Sequence, residues 1–308
     1  MIRSLHHVAL TLPDPEVGRK FYAAFGLELG ERAGRVIGRC AGRAQDQIVI
    51  REGARPGLDY LSFATGAEDL APTRQRLAAR GVALEDPPDP GAPDGLWFRD
   101  LDRNLIHLGS EPPAPWRTAP AVAINAANAY VRHAARGCPP FGLDPRPIRL
   151  GHVILFSPDP GRLATFYREV LGMKLSDSVG DDMVVFLRGA SDGDHHLLGL
   201  LRDPTPGLHH ASFEMDSVDH IELAARRVVG AGYAHVWGTG RHVVGSNMFH
   251  YFRDPWGSLA EYFYDIDYIP QGAAWEARRW PKEQGLFLWS NDGPPPPDFP
   301  KNLQAGAR

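Results

Sequence analysis

An α+β fold is predicted for this sequence: four βαβββ modules, paired into two similar half-barrel domains. Two observations carry the prediction. The chain repeats itself, SLHHVALTLPDPEVGRKFYAAFGLELG near the start pairing with RLGHVILFSPDPGRLATFYREVLGMKL later, at an offset of 145 residues, 152 less 7. Within the second half, a strand-like run, a helix-like run and further strand-like runs occur twice. A period this long marks a duplicated domain rather than a solenoid, whose repeat is about 20–50 residues.

Each element has a local reason. The repeat sets His7, Asp14 and Phe21-Tyr22 opposite His152, Asp159 and Phe166-Tyr167. Further on, GLDYLSFAT pairs with GLHHASFEM, so Tyr60 stands opposite His210, and WFRDLDRNLIHL pairs with YFRDPWGSLAEYF, so His107 stands opposite Glu261. In the second half, HVILF reads as a strand with His152, Ile154 and Phe156 on one face. Asp159 suits an N-cap, Pro160 the first helical position, and Gly172 the stop. Leu163, Phe166, Tyr167, Val170 and Leu171 recur between them at helical spacing, which needs no functional account. MVVFLRG and HHLLGLL follow as strands. The next module reads HHASFEM as strand, Val218–Val229 as helix, a glycine-rich stop at 230–232, then strands in AHVW, MFHYF and SLAEYFY. Asp254-Pro255 and Gly257 form a tight turn that aims the last of these.

The expected division is a first domain at 1–112, a linker at 113–147, a second domain at 148–270 and a tail at 271–308. EPPAPWRTAPA is too rich in proline for a helix or central strand, and Ala121–Arg136 is expected to form a short helix. The tail carries Trp275, Trp280 and Trp289 and is expected to pack on its own domain or on a neighbouring subunit.

Composition narrows the function classes. A net charge of −4 with interspersed signs points to no nucleic-acid or anionic-membrane partner. The two cysteines, Cys40 and Cys138, form no framework, which suits a reducing compartment. MIRSLHHVALTLPD lacks the apolar core of a signal peptide, and no apolar run approaches the ~18 residues of a membrane span. A cytoplasmic protein is expected.

His152, His210 and Glu261 are the candidate metal ligands. A lone histidine or glutamate in a strand is usually structural. Here two histidines open the first strands of sister modules and the glutamate lies in a last strand, so half-barrel closure brings all three to one interior. Two neutral imidazoles and a carboxylate cap one face of an octahedral ion, the donor set of non-haem Fe(II) oxygen chemistry; Mn(II) accepts the same set. In the first domain the equivalent residues are His7, Tyr60 and His107, which do not make that set, so it reads as a vestigial scaffold.

The chain resembles the type I extradiol catechol dioxygenases of the vicinal oxygen chelate superfamily, a group that includes catechol 2,3-dioxygenases and 2,3-dihydroxybiphenyl 1,2-dioxygenases. GRHVVGSNMFHYFRDPWGSLAEYFYD, preceded by LGHV and GLHH, carries the resemblance. It implies iron at His152, His210 and Glu261, a catechol and O2 as reactants, a hydroxymuconic semialdehyde-type product, and a homo-oligomer. The family's acid/base histidine lies in an H-x-x-A-L strand about 14–15 residues before the second ligand; the register H-L-L-G-L here selects His196 over His195. Strand alternation then turns His195 outward, and His209 likewise. His242 and Tyr251 match the family's neighbouring histidine and tyrosine. His250, on the other face from Tyr251, is expected to be structural. Val184, Phe186, Trp237 and Met248 are expected to line the pocket, and Gly199, where alanine is commoner, enlarges it. No arginine stands out as a carboxylate clamp, although Arg278 or Arg279 of the tail could reach in, which favours a neutral catechol. The alternative is a glyoxalase-like isomerase or transferase of the same fold using Zn, Ni or Mn, which would need a fourth protein ligand.

Overall fold

The computed structural model describes residues 1–110 and 123–304. The first half runs β1 (Ser4–Leu12), α1 (Pro15–Phe25), β2 (Glu28–Arg32), β3 (Arg35–Arg39), β4 (Ile48–Glu52), β5 (Gly57–Ala64), α2 (Ala67–Ala79), β6 (Leu96–Arg99) and β7 (Leu105–Gly109). The second runs β8 (Arg149–Ser157), α3 (Pro160–Leu171), β9 (Lys174–Val179), β10 (Val184–Arg188), β11 (Gly193–Asp194), β12 (Leu198–Arg202), β13 (Gly207–Glu214), α4 (Val218–Gly230), β14 (His235–His242), β15 (Met248–Arg253) and β16 (Leu259–Tyr264). The tail adds β17 (Tyr268–Ile269), β18 (Arg278–Trp280) and β19 (Phe287–Ser290).

Two mixed sheets result. The first is ordered β2-β3-β4-β1-β5-β7-β6, the second β18-β9-β10-β12-β8-β13-β16-β15-β14-β19. The inner order of the second repeats that of the first, as the duplicated sequence requires. In both sheets the first strands of sister modules lie side by side, antiparallel: β1 against β5 and β8 against β13. That pairing brings His152 and His210 close.

The helices start and stop where the sequence says. Asp159 Oδ1 accepts the backbone N–H of Arg162 at 3.0 Å, Pro160 opens α3, and Gly172 closes it at φ 74°. The left-handed turn favours glycine because a Cβ there is strained. Leu163, Phe166, Tyr167, Val170 and Leu171 are all buried. Their core is shared between the halves: Phe25 stacks on Tyr262 at 4.2 Å, and the Tyr167 hydroxyl donates to Asp100 Oδ2 at 2.9 Å across the interface.

The expected helix over Ala121–Arg136 is not there. Residues 121 and 122, like the EPPAPWRTAPA segment, lie outside the described residues; 123–136 hold only an isolated bridge between Ala126 and Ala129. The Asn125 carboxamide oxygen takes the backbone N–H groups of Val131 and Arg132, both at 2.9 Å. Exposed Ile124, Tyr130 and Val131 give the segment no buried face, and alanine propensity alone leaves a short helix marginal.

The tail packs on its own domain. β18 extends the second sheet beside β9, β19 extends it beside β14, and the Trp275 indole donates to the Ser176 carbonyl at 3.0 Å.

Candidate metal centre

The strands β8, β13 and β16 are neighbours in the second sheet, and each delivers one donor to its concave face. His152 Nε2 lies 3.0 Å from Glu261 Oε2, and His210 Nε2 lies 3.2 Å from the same oxygen. All three side chains are buried, Glu261 completely. The turn before β16 is pinned as expected: Asp254 Oδ1 accepts from the N–H groups of Trp256 and Ser258, and Gly257 has φ 94°.

Electrostatics single out the carboxylate. Burial works against ionisation of Glu261, yet His152 and His210 hold its carboxyl well below the usual range. Burial also lowers His210, keeping it neutral. His210 Nε2 faces the carboxylate without an aligned hydrogen bond, and His152 Nδ1 is buried with no partner. The three donor atoms lie within 4.8 Å of one another. Adjacent donors of an octahedral ion with bonds of about 2.1 Å stand about 3 Å apart. Donor types, neutrality and spacing all fit a divalent ion with an open face.

That face looks into a pocket of about 170 Å³. His196, His242 and Tyr251 line it beside His152 and His210. His242 Nδ1 donates to the Leu286 carbonyl at 2.7 Å, so its Nε2 carries the lone pair that faces the Tyr251 hydroxyl at 3.0 Å. Burial pushes His242 down to about 4 and Tyr251 well up, so both rings are neutral at pH 7. His196 is likewise lowered by burial and by neighbouring His152, whose ring centroid is 4.4 Å away.

Several expectations need correction. His195 is not outward: it is fully buried, and so is its neighbour His196. β12 begins only at Leu198, so strand alternation does not reach either histidine. His209 is also buried, between Phe156 and Phe299, with Nε2 donating to the Phe299 carbonyl at 2.8 Å. A register shift between Leu208 and His210 lets both neighbouring histidines reach the pocket side. Met248 faces the helices, having the opposite parity to Tyr251, and Trp237 sits behind Tyr251, stacked at 5.9 Å, rather than on the pocket wall. Val184 and Phe186 do line the pocket. His250 is structural, bonded to His235 at 2.9 Å on the face away from Tyr251. One arginine, Arg202, reaches the pocket, but its guanidinium donates to the Asp181 and Asp182 carbonyls; Arg278 and Arg279 are not among the lining residues.

Other residues had no sequence signal. Asn247 is buried on the pocket wall, its Nδ2 3.4 Å from Glu261 Oε1 and its Oδ1 without a partner. Leu286, Phe299 and Pro300 of the tail close the pocket. Among the described residues of the first half no such centre forms: His7 Nε2 bonds the Tyr60 hydroxyl at 2.9 Å, while His107 Nδ1 bonds Ser62 Oγ at 2.8 Å.

The Glyoxalase/Bleomycin resistance protein/Dioxygenase superfamily model matches twice, over residues 4–108 and 149–262. The chain belongs to this superfamily. Among its members, Metapyrocatechase 2 of Cupriavidus necator is 39% identical over 95% of this chain and 90% of its own length. An iron-dependent extradiol dioxygenase of Rhodococcus jostii (strain RHA1) is 25% identical, covering 94% and 97%. The superfamily fold also superimposes on a Mn(II)-bound glyoxalase from Novosphingobium aromaticivorans with a TM-score of 0.78 and 26% identity, over 97% of this chain and 93% of that one.

Proposed function

We propose that His152, His210 and Glu261 hold Fe(II) and that the chain cleaves a catecholic ring beside its paired hydroxyls with O2. The activity is that of a metal-dependent extradiol ring-cleaving dioxygenase. The observation that carries the reading is the convergence of a buried His-His-Glu set with His196, His242 and Tyr251 in one pocket. Iron held by His152, His210 and Glu261 would supply the electron transfer and the common template that catechol and O2 need to react. The names of the relatives include both iron and manganese, and Mn(II) is the runner-up.

The protein's own groups then handle protons. His242 presents a lone pair at Nε2, ready to take a hydrogen bond from a ring hydroxyl in place of Tyr251, whose phenol can donate in turn. His196, neutral and beside His152, serves as the acid/base. Asn247 orients the Glu261 carboxylate. Ile154, Val179, Met183, Phe186, Leu201 and Val244 make the remaining wall apolar. With Arg202 committed to backbone carbonyls, a neutral catechol fits best, giving a hydroxymuconic semialdehyde-type product.

The catalytic unit is assigned to 148–270, the scaffold to 1–112, the linker to 113–147 and the tail to 271–308. Exposed Tyr130, Val131 and Phe141 support a homo-oligomer, and two free cysteines support a cytoplasmic setting. No helix among the described residues is long and apolar enough to cross a membrane.

The test is O2 uptake and appearance of a yellow product by anaerobically Fe(II)-reconstituted protein on catechol, 3-methylcatechol, 2,3-dihydroxybiphenyl and acid-bearing analogues. His210→Ala should lose both metal and turnover while staying folded. No turnover on any catechol, with one metal tightly bound, would favour the glyoxalase-like isomerase or transferase instead.

A further inference from the structure

Behind the pocket wall lies a line of hydrogen bonds that the proposed reaction leaves unexplained. Asp177 on β9 is buried. Its Oδ1 accepts the backbone N–H of Arg278 at 2.7 Å, and its Oδ2 accepts the Trp280 indole N–H at 3.0 Å. The same Oδ2 faces His195 Nε2 at 3.3 Å. His195 Nδ1 in turn faces His196 Nδ1 at 3.0 Å. Trp275 packs edge-on against His195 at 5.4 Å, and Phe186 lies 4.7 Å from His196, so neither ring is free to turn.

The direction of this line follows from what each group can do. Two N–H groups and the His195 ring converge on Asp177; burial pulls its carboxyl up, but those partners hold it below the usual range, as an anion. An ionised carboxylate only accepts, so His195 Nε2 donates. In a neutral imidazole the other nitrogen then carries the lone pair. With a neutral His195, Nδ1 accepts and the facing His196 Nδ1 donates. The lone pair of His196 is left on Nε2, the nitrogen that His195 does not engage.

We propose that Asp177 and His195 are positioning residues that fix the tautomer of His196, with its proton on Nδ1 and its lone pair on Nε2, and that tail strand β18 holds Asp177 in place for this purpose. This rests on the proposed function for the role of His196, and it gives the aromatic tail a task. Acid/base work by His196 begins from the form that can accept a proton. Without the anchor, nothing in this line would hold the proton on Nδ1.

Side-chain 15N spectra of the full-length protein, with Zn(II) as a diamagnetic stand-in, read the tautomers directly. Signals are assigned by their loss in His195→Asn and His196→Asn. In the wild type His195 is expected to be protonated on Nε2 and His196 on Nδ1. Asp177→Asn, which removes the anion, is expected to populate the Nε2-protonated form of His196. It should also lower kcat about 10–100-fold, with KM and bound iron changing less than about twofold. Trp280→Phe keeps the carboxylate and its β18 anchor, the Arg278 backbone N–H, and should keep the wild-type tautomers. A wild-type His196 protonated on Nε2 would overturn the proposal even if Asp177→Asn does not fold. So would a folded Asp177→Asn with unchanged tautomers, or a Trp280→Phe that matches it. Wild-type protein with the expected tautomers but no catechol cleavage would sink the proposed function and leave the tautomer assignment standing.

Discussion

Gly199 offers the sharpest test of how the pocket selects its substrate. It sits on β12 directly opposite Ile154 on β8 and Phe186 on β10, and both of those side chains line the pocket. A Cβ at 199 would stand 2.1 Å from Ile154 Cδ1 and 3.4 Å from Phe186 Cδ1. Apolar carbons rest at about 3.5–4.0 Å, so Ile154 Cδ1 must withdraw by roughly 1.5 Å. That atom is the free end of a flexible side chain which already faces the cavity. In Gly199→Ala the methyl is therefore displaced into a space of about 170 Å³ rather than into the sheet. One methyl in a packed site is worth about 1–3 kcal/mol of discrimination, or about 10–200-fold. Steady-state O2 uptake should show kcat/KM for 2,3-dihydroxybiphenyl falling at least about tenfold relative to that for catechol. The melting temperature should barely move. An unchanged substrate ratio in a folded Gly199→Ala would refute the reasoning, because the wall would then have absorbed the methyl elsewhere.

Glu261→Gln removes the anionic donor while keeping its shape. Its iron affinity, measured by chelator competition, should fall by more than the about 10–100-fold typical of a residue behind the ligands. Burial, helped by the charge of His6, holds His7 well below its ordinary value. Its neutral ring contributes fully above about pH 6.5, and the contribution is lost as pH falls because the unfolded chain takes up a proton that the folded ring refuses. Urea unfolding should therefore show the advantage of wild type over His7→Asn shrinking as pH falls from 7.5 to 5.5. His7→Asn should still bind one metal per chain, since the first half contributes no ligand. Leu163→Ala opens a cavity under α3, where Leu163 is fully buried, and should cost about 2–5 kcal/mol by the same assay.

The repeat and its periodicities contained the architecture and the candidate metal donors. Both follow from short-range rules: a capping aspartate with a proline behind it, glycine at a left-handed stop, and alternation along β8 and β16. Where those rules reach their limit, the sequence misled. Alternation failed at His195, which precedes its strand, and at His209, which sits in a register shift, because facing is defined only within a regular ladder. The alanines after the linker suggested a helix, but no partner surface is there to bury it.

By itself, then, the sequence determined the duplicated fold and pointed to the trio His152, His210 and Glu261, while the family resemblance pointed to His196, His242 and Tyr251. The trio depends on residue type and position within single strands, and the duplication brings those strands together. Only the tertiary structure decided that Asp177 stands behind His195, that Asn247 touches Glu261, that Arg202 is tied to backbone carbonyls, and that Phe299 and Pro300 close the pocket. Those contacts join segments up to 90 residues apart, 299 less 209. No local pattern encodes them, because they arise from how separate strands, loops and the tail pack against one another.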